Sequence, residues 1–206
     1  AAVILDVSGD VITPGTAVPL ETGAVFISGS RLTATKFFVS YVLTTVARGV
    51  VASVTGSTIT LNTPANASNN NSEETSCATL VDDTTVMMAY HSAADTMRLV
   101  ALTISGVGFS IADDELIDSN VSGPMGTPMV SKLDATRCVV NWYNNVAEFD
   151  CKAAIVTLTG GALTPGSILT YSTGAASRFY PAIGALSDSR IAAAYVYSDT
   201  MAVKTL

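Results

Sequence analysis

Four stretches of this 206-residue chain can be laid over one another. Residues 31–41, 79–90, 132–143 and 185–195 each read Leu, a short polar turn containing Asp or Thr, then an apolar run ending in Tyr. The leucines are Leu32, Leu80, Leu133 and Leu186. The tyrosines are Tyr41, Tyr90, Tyr143 and Tyr195, and subtraction spaces them 49, 53 and 52 residues apart. A second landmark keeps step with the first, an apolar run closed by a small polar residue and a glycine, at Gly9, Gly56, Gly106 and Gly160. A repeat of this period constrains architecture more than any single motif, because each copy must be one supersecondary unit that buries its apolar faces on its neighbours.

The Ser/Thr-Gly pair marks a tight turn, since glycine takes positive φ without a Cβ penalty. A short β-rich segment follows it at residues 10–13, 57–61 and 107–111, and a weaker one at 161–164. Each unit thus offers four short strands: the run before the glycine, the run after it, the segment around the repeated Leu, and the run ending in Tyr. Four strands in about fifty residues predict an all-β, β-propeller-like array of four-stranded antiparallel blades, with four repeats visible as part of a larger propeller. The approximate units are 1–45, 46–95, 96–148 and 149–200, with 201–206 beginning a further copy, all in one repeat array. That last segment aligns with residues 97–102, which reads as a window cut from a longer array or as a strand that completes a neighbour.

Composition agrees with strands: 49% of residues are apolar, only 13% are charged, and Thr, Val, Ser, Ala and Gly are abundant. Several runs are apolar on both faces, as expected for sheets buried between neighbouring blades. The segment 191–195 has helix-favouring alanines, and its place in the repeat assigns it to a strand. No apolar run reaches the roughly eighteen residues that cross a bilayer, so no membrane insertion is expected. The net charge of −7, from 17 acids and 10 bases without a basic cluster, argues against a nucleic-acid partner.

The search for chemistry yields little. His91 is the one histidine, and no G-x-S-x-G elbow accompanies it, so it reads as a polar residue at a strand end. Glu115 and Glu148 with Asp113, Asp114 and Asp150 contain the raw material of a glycosidase pair, but acids in loops read first as solvated charges. The turn residues at 82–83, 134–136 and 187–189 read as stabilisers of their own reversals rather than calcium ligands, because calcium needs six to eight converging oxygens. Cys77, Cys138 and Cys151 have no C-x-x-C spacing and read as buried thiols, with Cys138 facing Cys151 across a hairpin as the alternative. The recurring tyrosines read as core residues with bonded hydroxyls rather than sugar-stacking platforms. No catalytic residue, metal or cofactor is predicted. Residues 62–75 read as an exposed insertion, and its loop residues Asn69, Asn70, Asn71, Glu73 and Glu74 are the candidates for binding a partner. Residues 113–128 read as a second long connection.

The stretch 133–144 (Leu-Asp-Ala-Thr-Arg-Cys-Val-Val-Asn-Trp-Tyr-Asn), followed by 153–161, resembles repeats of bacteriophage tail-fibre and adhesin-like structural proteins. Residues 50–60 match the second half of that repeat. The resemblance implies a non-enzymatic structural or adhesion propeller on a virion or extracellular surface. Its partners would be other virion or fibre proteins, further copies of itself, and a host-surface glycan or receptor met through loops. The alternatives are a carbohydrate-binding lectin propeller and, behind it, a propeller-fold glycoside hydrolase.

Overall fold

The computed structural model describes residues 1–82, 84–119, 121, 128–144, 150–173, 182–197 and 200–206, with backbone alone at 6–7, 73–80, 195–197 and 200–201. Among these residues the regular structure is all strand, with no helix, and every pairing is antiparallel. A hairpin of β1 (Leu5–Ser8) and β2 (Val11–Pro14) comes first. The first meander is β3 (Val25–Arg31), β4 (Lys36–Leu43), β5 (Val46–Thr55), β6 (Thr58–Leu61) and the leading half of β7 (Ala65–Leu80). The trailing half of β7 opens a second meander with β8 (Thr85–Ser92), β9 (Thr96–Ser105) and β10 (Gly108–Asp118). The third is β11 (Met129–Lys132), β12 (Arg137–Asn144), β13 (Asp150–Thr159), β14 (Ala162–Pro165) and β15 (Leu169–Ser172). The fourth is β16 (Ala182–Ser187), β17 (Arg190–Tyr197) and β18 (Thr200–Thr205).

Turn chemistry repeats with the strands. Asp82 Oδ1 accepts from the Thr84 and Thr85 amides at 2.8 and 2.7 Å, and Asp134 Oδ1 accepts from the Thr136 and Arg137 amides, both at 2.8 Å. Thr33 Oγ1 serves the Thr35 amide in the first meander, and Ser187 Oγ the Ser189 amide in the fourth. These side chains stabilise their own reversals, as their residue types predict.

The same turns correct two positions of the sequence alignment. Leu32, Val81 and Leu133 donate their amides to the carbonyls of Lys36, Thr85 and Arg137, so Val81 rather than Leu80 is the counterpart of the repeated leucine. Five residues past Lys36, Thr85 and Arg137 stand Tyr41, Tyr90 and Trp142. Trp142, not Tyr143, therefore holds the tyrosine position in the third meander, and the spacings become 49, 52 and 53. Two adjacent aromatics, Trp142 and Tyr143, made the choice ambiguous in sequence.

All four expected hairpin glycines have positive φ, from 56° to 61°. At Gly9, Gly56 and Gly106 one glycine opens a two-residue loop, the pattern of a II′ turn. Gly160 and Gly161 are both positive, the pattern of a I′ turn, and this explains why β14 forms despite its weak sequence.

The meanders stack face to face. Phe38, Ala47, Val51 and Ala67 of the first pack on Val86, Met88, Tyr90, Val100 and Leu102 of the second. The opposite side of the second, with Met87, Ala89, Leu99 and Ala101, packs on Val140, Trp142, Ala154 and Val156 of the third. The far face of the third, with Val139, Tyr143 and Ala153, meets Ile191 and Ala193 of the fourth. Burial on both faces accounts for the loose alternation of β4, β8 and β12. No closed ring of sheets is present among the described residues; the established architecture is a stack of antiparallel meanders.

Most of one long polar connection and the start of the other prove to be strand. Residues 65–80 are β7, whose leading half pairs with β5 (Arg48 with Asn66, Val46 with Asn71) and whose trailing half pairs with β8. Asn69, Asn70, Asn71, Glu73 and Glu74 thus lie on a strand, not in a loop. Asparagine disfavours strands intrinsically, but pairing partners on both sheets override that preference. The stretch expected as a second connection from residue 113 runs on as β10 to Asp118; 122–127 lie outside the described residues. Residues 191–195 form strand, as their place in the repeat required.

Candidate functional site

Opposite three of the four recurring aromatics stands a cation. The register pairs Tyr41 with Arg48, Tyr90 with Arg98 and Trp142 with Lys152, whereas Tyr195 faces Ala202. A carboxylate completes each of the first three sets. Glu21 Oε2 accepts the Tyr41 hydroxyl at 2.5 Å and pairs with Arg48 at 2.9 Å. Asp114 accepts the Tyr90 hydroxyl at 2.7 Å and pairs with Arg98 Nε at 2.9 Å, while the Arg98 guanidinium also bonds the Asp114 carbonyl. Asp118 Oδ2 accepts Trp142 Nε1 at 3.3 Å and pairs with Lys152 Nζ at 3.1 Å.

The middle set is the most elaborate and takes in two of the sequence candidates. The Asn69 amide donates to Asp114 Oδ2 at 2.9 Å, and Asn70 Nδ2 donates to the Tyr90 hydroxyl at 3.2 Å and to Asp114 Oδ2 at 3.3 Å. The Asn71 carbonyl accepts the Ala93 amide. Glu73 and Glu74 keep their place on β7, and their side chains lie outside the described residues. A shallow pocket of about 310 Å³ opens beside Asn70, Asn71, Ser92, Ala93 and Ala94.

The electrostatics fit a cohesive role. Burial, and then the bond to Glu21, raise the Tyr41 hydroxyl to about 12. Burial and the bond to Asp114 raise Tyr90 further still, so both phenols stay protonated donors at any physiological pH. Burial alone would lower Arg98, but Asp114 outweighs it and the net shift is upward. Asp114 thus accepts from a hydroxyl, a guanidinium, a backbone amide and a side-chain amide at once.

Of the other chemistry-bearing residues, Asp113 is engaged in a comparable way. Asp113 accepts the Asp114 amide at 2.9 Å and the Leu163 amide at 2.7 Å, tying the second meander to the hairpin of the third. Glu115 is half-buried on β10, Asp150 begins β13, and Glu148 lies outside the described residues. His91 is buried at the end of β8. Cys138 and Cys151 are free and buried; they pair across the strands with Val156 and Tyr143, not with each other, and burial raises their thiols to about 12 and about 11. The side chain of Cys77 lies outside the described residues. Among the described repeat positions Leu186 is exposed, and the Leu80 and Tyr195 side chains are not described.

Sequence reasoning placed the tyrosines in the core with bonded hydroxyls, and Tyr41 and Tyr90 are so placed. It read Asp114 as a solvated loop charge and did not single out Glu21, Asp118 or the cross-strand cations. One signal was available: Glu21 and Asp118 each lie twelve residues past a hairpin glycine, Gly9 and Gly106. No protein-family model, no curated protein and no solved structure matches this chain.

Proposed function

We propose that the chain is a non-catalytic structural and adhesion module, its stacked meanders serving as β-propeller-type blades in a virion tail fibre or comparable surface fibre. The observation that carries this reading is the use made of the charged and aromatic residues. Glu21, Asp113, Asp114 and Asp118 are bound by donors from neighbouring strands and meanders, so the groups that elsewhere perform chemistry here hold sheets together. The sequence resemblance to phage fibre repeats supplies the biological setting, and the edges of the stack supply surfaces for fibre or host partners. A lectin reading has one observation in its favour, the pocket beside Asn70, Asn71 and Ser92, whose amides and hydroxyl suit sugar hydroxyls. Against it, Tyr41, Tyr90 and Trp142 are fully buried and present no ring for stacking.

Quantitative mass spectrometry of purified particles from the source tests the proposal. The chain is expected at a fixed copy number per particle, with no turnover of a chromogenic glycoside panel. Recovery only as a free protein that binds a glycan array, with binding lost in Asn70→Ala, would transfer the assignment to a lectin.

A further inference from the structure

Of the three aromatic–cation–carboxylate sets, the third differs in the chemistry of its cation. The first two use Arg48 and Arg98, whose guanidinium groups stay charged and hold no nucleophilic lone pair. The third uses Lys152, whose amine becomes a nucleophile once it gives up one proton. An ion pair alone does not call for that change, because a guanidinium serves a carboxylate through two parallel bonds.

The surroundings of Lys152 suit condensation of an amine with a carboxyl group. Its Nζ lies 3.1 Å from Asp118 Oδ2, and the carbon it would attack, Asp118 Cγ, is one bond beyond that oxygen. Trp142 Nε1 donates to the same oxygen at 3.3 Å, where negative charge gathers as the carbon is attacked. Water is largely kept out. The Lys152 side chain is 16% exposed and that of Asp118 8%, while Trp142 and Met97, the strand partners of Lys152 and Asp118, are wholly buried. In so apolar a setting the passage of one proton from ammonium to carboxylate discharges both groups at once. A second carboxylate is placed to help. Asp150 precedes Lys152 by two residues on β13, so both side chains leave the face of the strand that carries Ala154 and Val156 into the closed junction. Its Oδ1 is buried with no hydrogen-bond partner among the described residues, an unused proton acceptor on the face from which the amine projects.

We propose that Lys152 and Asp118 condense to an intramolecular amide, an isopeptide bond that ties β10 of the second meander to β13 of the third. One proton passes from the Lys152 ammonium to the Asp118 carboxylate. The freed Nζ lone pair forms an N–C bond to Asp118 Cγ; a second amine proton is taken up by Asp150 and handed to the Asp118 hydroxyl, which leaves with it as water. Ammonium and carboxylate thus become one amide and one water, with no oxidant, no co-reactant and no net change of charge. The bond closes a covalent loop over the 34 positions that separate the two residues and locks the second meander to the third. The inference is independent of the fibre assignment.

Mass spectrometry of the intact, denatured chain tests it. The wild type is expected one water lighter than its sequence, and protease digestion should release one branched peptide that joins the segments around Lys152 and Asp118. Lys152→Arg keeps the positive charge and the ion pair but has no amine, so it should fold and show the full mass of its sequence. Asp118→Ala should show its full mass as well. Asp150→Asn should leave a larger fraction of the chain without the bond, and Asp150→Glu should restore it, a pattern that packing alone does not produce. A wild-type chain still at its full sequence mass after prolonged incubation in the folded state overturns the inference. A lost water that maps to any other pair of residues, or that persists in Lys152→Arg, overturns it too, and Asp150→Asn as fully bonded as the wild type overturns the proton relay.

Discussion

The second junction of the stack is closed and the third is open, although both are built from equivalent strand positions. Between the second and third meanders Met87, Leu99 and Trp142 interlock with full burial, and Asp118 reaches across to Trp142 and Lys152. Between the third and fourth the facing residues include Ala193 and Ala153, Ile155 is 40% exposed, and a cavity remains. The closed junction also holds Leu163 of the β13–β14 hairpin, and no hairpin residue of that kind lies in the open one among the described residues.

Trp142→Ala breaks the closed side of the comparison most strongly. Loss of a wholly buried Trp should cost about 3–5 kcal/mol in urea unfolding, whereas Ile191→Ala, beside an existing cavity, should cost about 2 kcal/mol or less. Asp118→Ala comes next, at about 3 kcal/mol, because Lys152 is left charged and mostly buried without its partner. A matched pair then sharpens the contrast. A Cβ on Gly49 would overlap the Phe38 ring and lie 3.1 Å from Phe109, so Gly49→Ala should cost about 1–3 kcal/mol, while Ala153→Leu at the equivalent open position should change stability by less than about 1 kcal/mol. The smallest effect is one of pH at the turn beside the open junction. The Thr136 amide and then Arg137 hold Asp134 at about 2, below its ordinary 3.8. A depressed value means that the turn's contribution is present above about pH 4 and is lost as pH falls toward 2. Thermal melting should therefore find Asp134→Asn less stable than wild type at pH 6 and level with it near pH 2.

Much of the fold was legible because its local signals have single physical solutions. Positive φ at Gly9, Gly56, Gly106 and Gly160, and Asp or Thr side chains that bond their own turns, left the hairpins and reversals little freedom. The site was less legible. The cations follow the aromatics by seven residues at Arg48, eight at Arg98 and ten at Lys152, because the intervening turn varies in length. Only strand register brings each pair together. The asparagine run misled for a related reason: its strand character comes from two sets of partners distant in sequence, which no local preference records.

One of those partnerships has a mechanical meaning. The backbone of β7 pairs with β5 at Ala65, Asn66 and Asn71, across an irregularity, and from Ser72 onward with β8; at the crossing Ser72 donates to the Thr45 carbonyl while Asn71 accepts from Ala93. The changeover takes a single residue step, from Asn71 to Ser72. A pull on either sheet reaches the other as shear along a shared rod, so under load the first two sheets should yield together rather than peel apart in turn.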